Sequence, residues 1–424
     1  QLRALVKPLI EGVDDSRYRF EFHVVEDASL NAFALPGGHV VLHSGLILKA
    51  DRPEQMLGVL AHEIAHVTQN HLARGVAEQQ RVSLPIMLAT LGLVLIAGAA
   101  GALDGESAQG LLASGSGLAQ QMQINYTRQN EAEADRIGIQ LMARAGYDPS
   151  GMAQFFETLN RWSRSMGSGP PEYLRTHPLT VSRVAEARDR AEQLRAPARR
   201  DDPMFQLVQA RLRVLMTNHP SNAISWFEEN LERAEDEALG LRYGLALALL
   251  RATNLGAAER RIDDLLERDP DQQLFRMLHG ELRLAQGRHG EALEIYRNLY
   301  RDYGHSGPIV IAYAEALLHE KDSDQASLAS SLLREQLRRT PDDIRLTELL
   351  ARAADRAGDE IRAAEAVATN YYQRGGLPQA IEQLERILQR DDLDYYARAR
   401  ISARLDQMRI EQLRITRESL GGTR

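Results

Sequence analysis

The stretch 60-LAHEIAHVTQN-70 decides how the first half of the chain is read. His62 and His66 stand four residues apart, with Glu63 beside the first of them. In an α-helix, positions i and i+4 lie one above the other on the same face. Two neutral imidazoles can then grip one ion, while the adjacent carboxylate points at whatever else that ion holds. This is the physical content of the H-E-x-x-H pattern: two zinc ligands and a general base for a water. Met56, Leu57, Val59, Leu60, Ile64 and Val67 carry the helical period around the motif, so the spacing predicts a largely buried helix over about residues 53–80. Two histidines and a glutamate among those apolar side chains are costly unless they are coordinated or hydrogen-bonded.

A catalytic zinc commonly takes three protein ligands and leaves a fourth position open. The pattern H-E-x-x-H-x-x-G-x-x-H would supply the third ligand locally. Here Gln69 and Leu72 stand at the glycine and histidine positions, which excludes that arrangement. His71 is out of phase with the ligand face of a continuous helix and is expected at the surface. The better source is 130-NEAEADRIG-138, on a second predicted helix of about residues 126–145. Glu131 would complete a His₂Glu site. Asp135, one turn later, would accept a hydrogen bond from the non-ligating nitrogen of His62 and fix its orientation. Glu133 projects from another face and is expected to meet solvent.

Upstream, 17-RYRFEFHVV-25 alternates Tyr18, Phe20, Phe22 and Val24 with polar neighbours, as a half-buried strand does. The sequence 36-PGG-38 then turns the chain between 31–35 and 39–43. An edge strand of that small sheet is a natural place for an extended peptide to add.

The pairing of 62-HEIAH-66 with 130-NEAEAD-135 resembles the gluzincin metallopeptidases, in particular the family that holds HtpX and the CAAX prenyl endopeptidases. Three further stretches match: 31-NAFALPGGHVVLHSGLI-47, the apolar region between the two metal-binding helices, and 176-THPLTVSR-183, which is similar to the family's closing T-H-P-x-x-x-x-R. Together they cover about residues 15–195. The resemblance implies one zinc per chain on His62, His66 and Glu131, with Glu63 as catalytic base and Asp135 behind His62.

His177 follows 164-RSMGSGPPEYLRT-176, whose Gly, Ser and Pro residues read as a mobile connection, with the next helix starting at Pro178. A periplasmic branch of the family is self-inhibited, with this histidine as a fourth zinc ligand. The resemblance therefore implies a latent enzyme gated by His177, because four protein ligands leave no place for the catalytic water. Arg183 is expected to support the site electrostatically.

At 424 residues the chain holds two or three domains. A net charge of −8 argues against a general nucleic-acid binder, which shows a basic excess. The absence of cysteine excludes thiolate ligands and disulfides. The start, QLRALVKPLI, lacks the basic and apolar regions of a secretory signal. Residues 82–103, VSLPIMLATLGLVLIAGAAGAL, carry no charge and are long enough to span a bilayer. A single crossing would separate the histidine motif from Glu131, so this segment is expected to be a helical excursion packed on the protein or touching a membrane surface.

Composition shifts at 196-APARRDDP-203, which places a domain boundary there: a zinc metallopeptidase domain over 1–197 and a repeat domain over 198–424. Ala258, Ile262, Leu265 and Pro270 recur as Ala292, Tyr296, Leu299 and Gly304, at the 34-residue period of tetratricopeptide repeats. Ala223 with Phe227 and Ala329 with Leu333 repeat the small-then-large pair, and Gly287 falls in a turn between helices. The period slips near 321–326 and near 375, so about four full repeats with extra helices at each end are expected.

The fold class is thus mainly α: a zincin domain with a small β-sheet, followed by an α-solenoid. A gluzincin with such repeats resembles the periplasmic branch of the family. That resemblance implies an endopeptidase and assembly factor for outer-membrane protein quality control in a Gram-negative periplasm, its signal peptide removed. Unfolded or stalled β-barrel proteins would be its substrates. The repeats would engage the barrel-assembly machinery and the lipopolysaccharide-transport barrel. One alternative is a repeat-based chaperone whose zinc is structural, against which the intact Glu63 argues. Another is a membrane-embedded peptidase of the HtpX or prenyl type, which would need further apolar spans.

Overall fold

The computed structural model describes residues 2–13, 17–75, 77, 127–165, 171–194, 203–234, 238–304 and 306–421. The chain divides into two compact units, 1–218 and 219–424. The apolar stretch 82–103 lies outside the described residues. Among the described residues, no helix is long and apolar enough to cross a membrane.

The first unit opens with α1 (Leu2–Glu11) and a sheet of β1 (Glu21–Val25), β2 (Ala32–Leu35) and β3 (His39–His43) in the order β1-β3-β2. β1 runs parallel to β3, with Glu21 opposite His39, and β2 runs antiparallel, with Ala32 opposite Leu42. The turn falls at 36–38, where Gly37 and Gly38 have φ of +89° and +91°. A Cβ on Gly38 would lie 2.6 Å from the Arg19 carbonyl oxygen, so only glycine fits there. The alternation expected over 17–25 gives a strand only from 21 on. Phe20 and Phe22 face the core, while Val24 stays 49% exposed because β1 is an edge.

α2 (Ser44–Lys49) leads into α3 (Pro53–Thr68), which starts on a proline suited to the first turn and is buried from Glu54 to Ala65. The continuous helix expected to residue 80 is interrupted. Gln69 ends α3, and Asn70 takes φ of +54°, a left-handed conformation that asparagine tolerates. Helix resumes as α4 (71–75), and the rest of the unit comprises α5 (127–144), α6 (Ser150–Ser165), α7 (Glu172–Thr176), α8 (Val181–Gln193) and α9 (Pro203–Met216).

α3 meets its two helical neighbours at small residues. A Cβ on Gly58 would stand 2.8 Å from Met152 Cα in α6, and one on Gly138 in α5 would stand 3.1 Å from the backbone of Ala61 and His62. The missing side chains let backbones touch, and Gly138 brings α5 against the turn of α3 that carries His62. Leu46, Met56, Leu57, Leu60, Phe155 and Phe156 fill the core around them. Composition changes at 196–203, yet the compact unit runs to Asn218. α9 belongs to it: Gln209 Nε2 donates to the carbonyls of Ile47 and Ala50 at 2.8 Å each, and Phe205 enters the same core.

The second unit is a series of paired helices. After α10 (Pro220–Leu231) come α11 (Leu239–Arg251) with α12 (Leu255–Arg268), α13 (Gln273–Ala285) with α14 (His289–Tyr303), α15 (Gly307–Leu317) with α16 (Ser323–Leu337), and α17 (Ile344–Arg356) with α18 (Glu360–Gln373). α19 (Leu377–Leu388) and α20 (Tyr395–Gly421) follow. Four pairs with extra helices at both ends match the period read from sequence. The repeated positions are core: Ala258, Ile262 and Leu265 in α12, and Ala292 and Leu299 in α14, are all 0% exposed. In two of the small–large pairs the large residue fills a space left by glycine on a neighbouring helix. A Cβ on Gly280 would lie 2.6 Å from the Tyr296 ring, and one on Gly244 would lie 2.2 Å from Phe227.

Candidate metal centre

Helical spacing puts His62 and His66 on one face of α3, and Gly138 lets α5 bring Glu131 to that face. His62 Nε2 lies 2.9 Å from His66 Nε2 and 3.5 Å from Glu131 Oε2, and His66 Nε2 lies 3.3 Å from Glu131 Oε1. His177 joins them, its Nδ1 3.3 Å from His62 Nε2 and 3.1 Å from both Glu131 oxygens. Ligands about 2.0–2.1 Å from a tetrahedral ion stand about 3.3 Å from one another. The donor atoms of the four residues all lie within 4.8 Å of one another, and His62, Glu131 and His177 are buried.

Asp135 and Arg183 stand behind this cluster. Asp135 Oδ1 is 2.9 Å from His62 Nδ1, leaving Nε2 to face the other donors. Arg183 donates from Nε and Nη2 to Asp135 at 2.7 and 2.8 Å, and from Nη1 to the Pro178 carbonyl at 2.8 Å. Its Nη1 also lies 3.0 Å from Glu131 Oε2. Such a two-pronged contact is specific to a guanidinium. Arg183 is placed by α8, which begins after Thr180 rather than at Pro178: Thr180 Oγ1 caps the helix by accepting from Arg183 N.

Two expectations about neighbouring residues are corrected. His71 is not at the surface but 5% exposed, because the break at Asn70 turns α4 back toward α3. Its Nδ1 lies 2.9 Å from His66 Nδ1 and its Nε2 lies 3.1 Å from Glu133 Oε2. Glu133 is accordingly half-buried rather than solvated, and also accepts from Arg74 at 3.1 Å. The readable signal was Asn70 itself, an asparagine just past the last periodic residue, where helices stop. The sequence reading also missed Tyr173, which is buried and whose ring stacks on His177 with centroids 4.7 Å apart. Of the connection before His177, residues 166–170 lie outside the described residues. Its second part is α7, and His177 N–H closes that helix on the Tyr173 carbonyl at 2.9 Å.

Burial pushes the His62 imidazole down, but hydrogen bonds with Asp135 and Glu131 outweigh it and bring it up to about 10. Burial, with the His62 charge beside it, pushes His66 down to about 3. Burial would raise Glu131, yet hydrogen bonds with His177, His62 and His66 hold it far below the carboxylate range. These shifts favour an ionised Glu131 and a neutral His66, the forms in which each offers a lone pair to an ion.

Glu63 lies beside them. Burial pushes its carboxyl up against the opposing pull of His177 and His62, and the Ala34 N–H donates to it. Its Oε1 is buried without a hydrogen-bond partner among the described residues and lies 3.5 Å from His177 Nε2. Three imidazoles, a carboxylate and an unsatisfied buried carboxylate oxygen next to them fit a divalent metal ion with a reactive position alongside.

The cluster opens on a cleft of about 620 Å³ lined by Glu63, His66, Glu131 and His177 and by residues 33–37. His43 N–H donates to the Asn31 carbonyl across the β2–β3 register. In an antiparallel ladder such bonded pairs alternate, so Ala32 and Ala34 turn their backbone groups away from β3. Among the described residues β2 is thus an edge whose free backbone borders the cleft, and one of its amides already serves Glu63.

Residues 1–191 match the model of peptidase family M48, and residues 283–353 match a tetratricopeptide repeat. The chain is 33% identical over 414 residues to the β-barrel assembly-enhancing protease of Escherichia coli (strain K12), covering 96% of this chain and 82% of that protein. It is 34% identical to the protein of the same name from Yersinia pestis, with the same coverage. The mitochondrial metalloendopeptidase OMA1 of Schizosaccharomyces pombe is 31% identical over 175 residues, or 41% of this chain and 47% of that one. A peptidase-family match over the first unit, a repeat match in the second and a third of the residues shared along nearly the whole chain agree, and the chain belongs to the β-barrel assembly-enhancing proteases, metalloendopeptidases of family M48 with tetratricopeptide repeats.

Proposed function

We propose that the chain binds one zinc ion through His62, His66 and Glu131, and that Glu63 is its catalytic base. In this reading it degrades misfolded or stalled outer-membrane β-barrel proteins in the periplasm, and His177 holds it latent as a fourth ligand. The observation that carries the reading is the convergence of these donors, 2.9–3.5 Å apart, beside the unpartnered Oε1 of Glu63. Zinc bound there would supply a Lewis acid that polarises a peptide carbonyl and acidifies water.

The chain's own residues do the rest. An extended segment of substrate adds to the free edge of β2 and is held by backbone hydrogen bonds, so selection falls on unfolded chains. Glu63, raised by burial, takes a proton from the attacking water and returns it to the leaving amine. Asp135 holds His62 in the tautomer that offers Nε2, and Arg183 fixes Asp135.

His177 supports latency by its place. Its Nδ1 faces the ligand cluster and its Nε2 faces Glu63 Oε1, so the ring fills the space that water and carbonyl need. The repeats offer the extended surface by which such arrays bind proteins. The barrel-assembly machinery and the lipopolysaccharide-transport barrel are the partners proposed for it, in keeping with the relatives' name.

Proteolysis of an unfolded outer-membrane β-barrel protein by the full chain tests this. Glu63→Gln should lower the rate by ~10²-fold or more with metal content retained. His177→Arg should raise the rate above wild type. Cleavage by Glu63→Gln at the wild-type rate would remove the catalytic assignment. A His177→Arg rate at or below wild type would remove latency.

A further inference from the structure

We propose that Glu21, His23 and His39 form a second divalent-metal site, on the outer face of the sheet and separate in every ligand from the cluster around His62. β1 and β3 create it through their register. Glu21 and His39 are direct cross-strand partners, and His23, two residues along β1, returns to the same face. His23 Nε2 lies 3.2 Å from His39 Nδ1, and His39 Nδ1 lies 3.5 Å from Glu21 Oε2. These separations are close to the ~3.3 Å expected between ligands of a small tetrahedral ion. The three ligand atoms all fall within 4.8 Å of one another.

The arrangement is held from both sides. Phe22, between the two β1 ligands, packs into the core on the opposite face, which fixes the direction of Glu21 and His23. The turn fixes His39: a Cβ on Gly37 would lie 3.5 Å from its Cδ2 and 3.7 Å from its Nε2, so that edge of the ring faces the turn and Nδ1 faces the other ligands. Glu21 and His39 keep 48% and 44% of their side-chain surface exposed, so ion and water can enter and leave.

Two imidazoles and one carboxylate favour zinc, nickel or copper over magnesium or calcium, which take oxygen ligands. A bound ion would clamp β1, an edge strand with little burial, to β3 at the base of the 36–38 turn. That turn continues into the residues lining the cleft.

Equilibrium dialysis of the metal-free full chain against Zn²⁺, with bound metal counted per chain, tests the site. Wild type is expected to hold two equivalents. His23→Ala and His39→Ala, both at exposed or half-exposed positions, should each hold one, with the far-ultraviolet circular dichroism unchanged. The double variant His62→Ala/His66→Ala should keep one equivalent, and that one should disappear when His23→Ala is added. An undiminished count in both His23→Ala and His39→Ala, or no bound metal in His62→Ala/His66→Ala, would overturn the proposal. An unchanged count in His62→Ala/His66→Ala, with one equivalent lost in His23→Ala, would leave this site standing and bear only on the other.

Discussion

His66 is oriented by another imidazole rather than directly by a carboxylate. Its Nδ1 meets His71 Nδ1 at 2.9 Å, and His71 in turn meets Glu133 at 3.1 Å. His62 has the shorter arrangement, with Asp135 directly behind it. A group that fixes a metal-binding histidine from behind contributes to metal affinity although it never touches the ion. His71→Ala should therefore weaken metal binding by about 10–100-fold. Competition with a chelator of known strength measures this, and wild-type affinity in the variant would show that packing alone holds His66. The convergence of His62, Glu63, His66 and Glu131 was legible because it depends on spacing within helices, which sequence displays. His71 was not, since its direction depends on one left-handed residue between two helices. Arg183 was legible as a partner of the site, but its fork onto Asp135 needed the position of α8.

Among the elements, α3 is the most constrained. It is buried along twelve consecutive residues from Glu54 to Ala65, so its faces must fit α5 and α6 at backbone contact. Gly58 faces Met152 Cα with space for a hydrogen only. Gly58→Ala would overpack that contact and should destabilise the first unit by about 1–3 kcal/mol, read as a lowered urea midpoint. An unchanged midpoint would mean that α6 can shift at no cost. The helical period predicted α3 well, because Met56, Leu57, Leu60 and Ile64 carry it. It could not place the end, since a period continues smoothly through a turn made by a single asparagine. β1 was read too long for a related reason: alternation in 17–20 persists in sequence where, among the described residues, no partner strand pairs with it.

At the scale of the molecule, each unit has its own core, and each holds one of the two tryptophans, Trp162 and Trp226. A ligand that binds only the folded form of one unit stabilises that unit by mass action. In Trp226→Phe, fluorescence follows the first unit, and metal removal should lower its thermal midpoint. In Trp162→Phe, the remaining signal should melt at the same temperature with or without metal. Equal shifts in both would show that the units unfold as one. The repeats were legible because a period of 34 residues repeats its own error-correcting pattern of small and large core residues. Where one unit ends was harder, because α9 has the amphipathic character of a repeat helix while its hydrogen bonds go elsewhere. Gln209 reaches back to two carbonyls at the end of α2, and Phe205 is buried in the first unit's core. Cutting the polypeptide where its composition changes would thus amputate a strut: a peptidase fragment ending at 197 would bare an apolar scar and two orphaned acceptors, whereas one carried through Asn218 would keep its own wall.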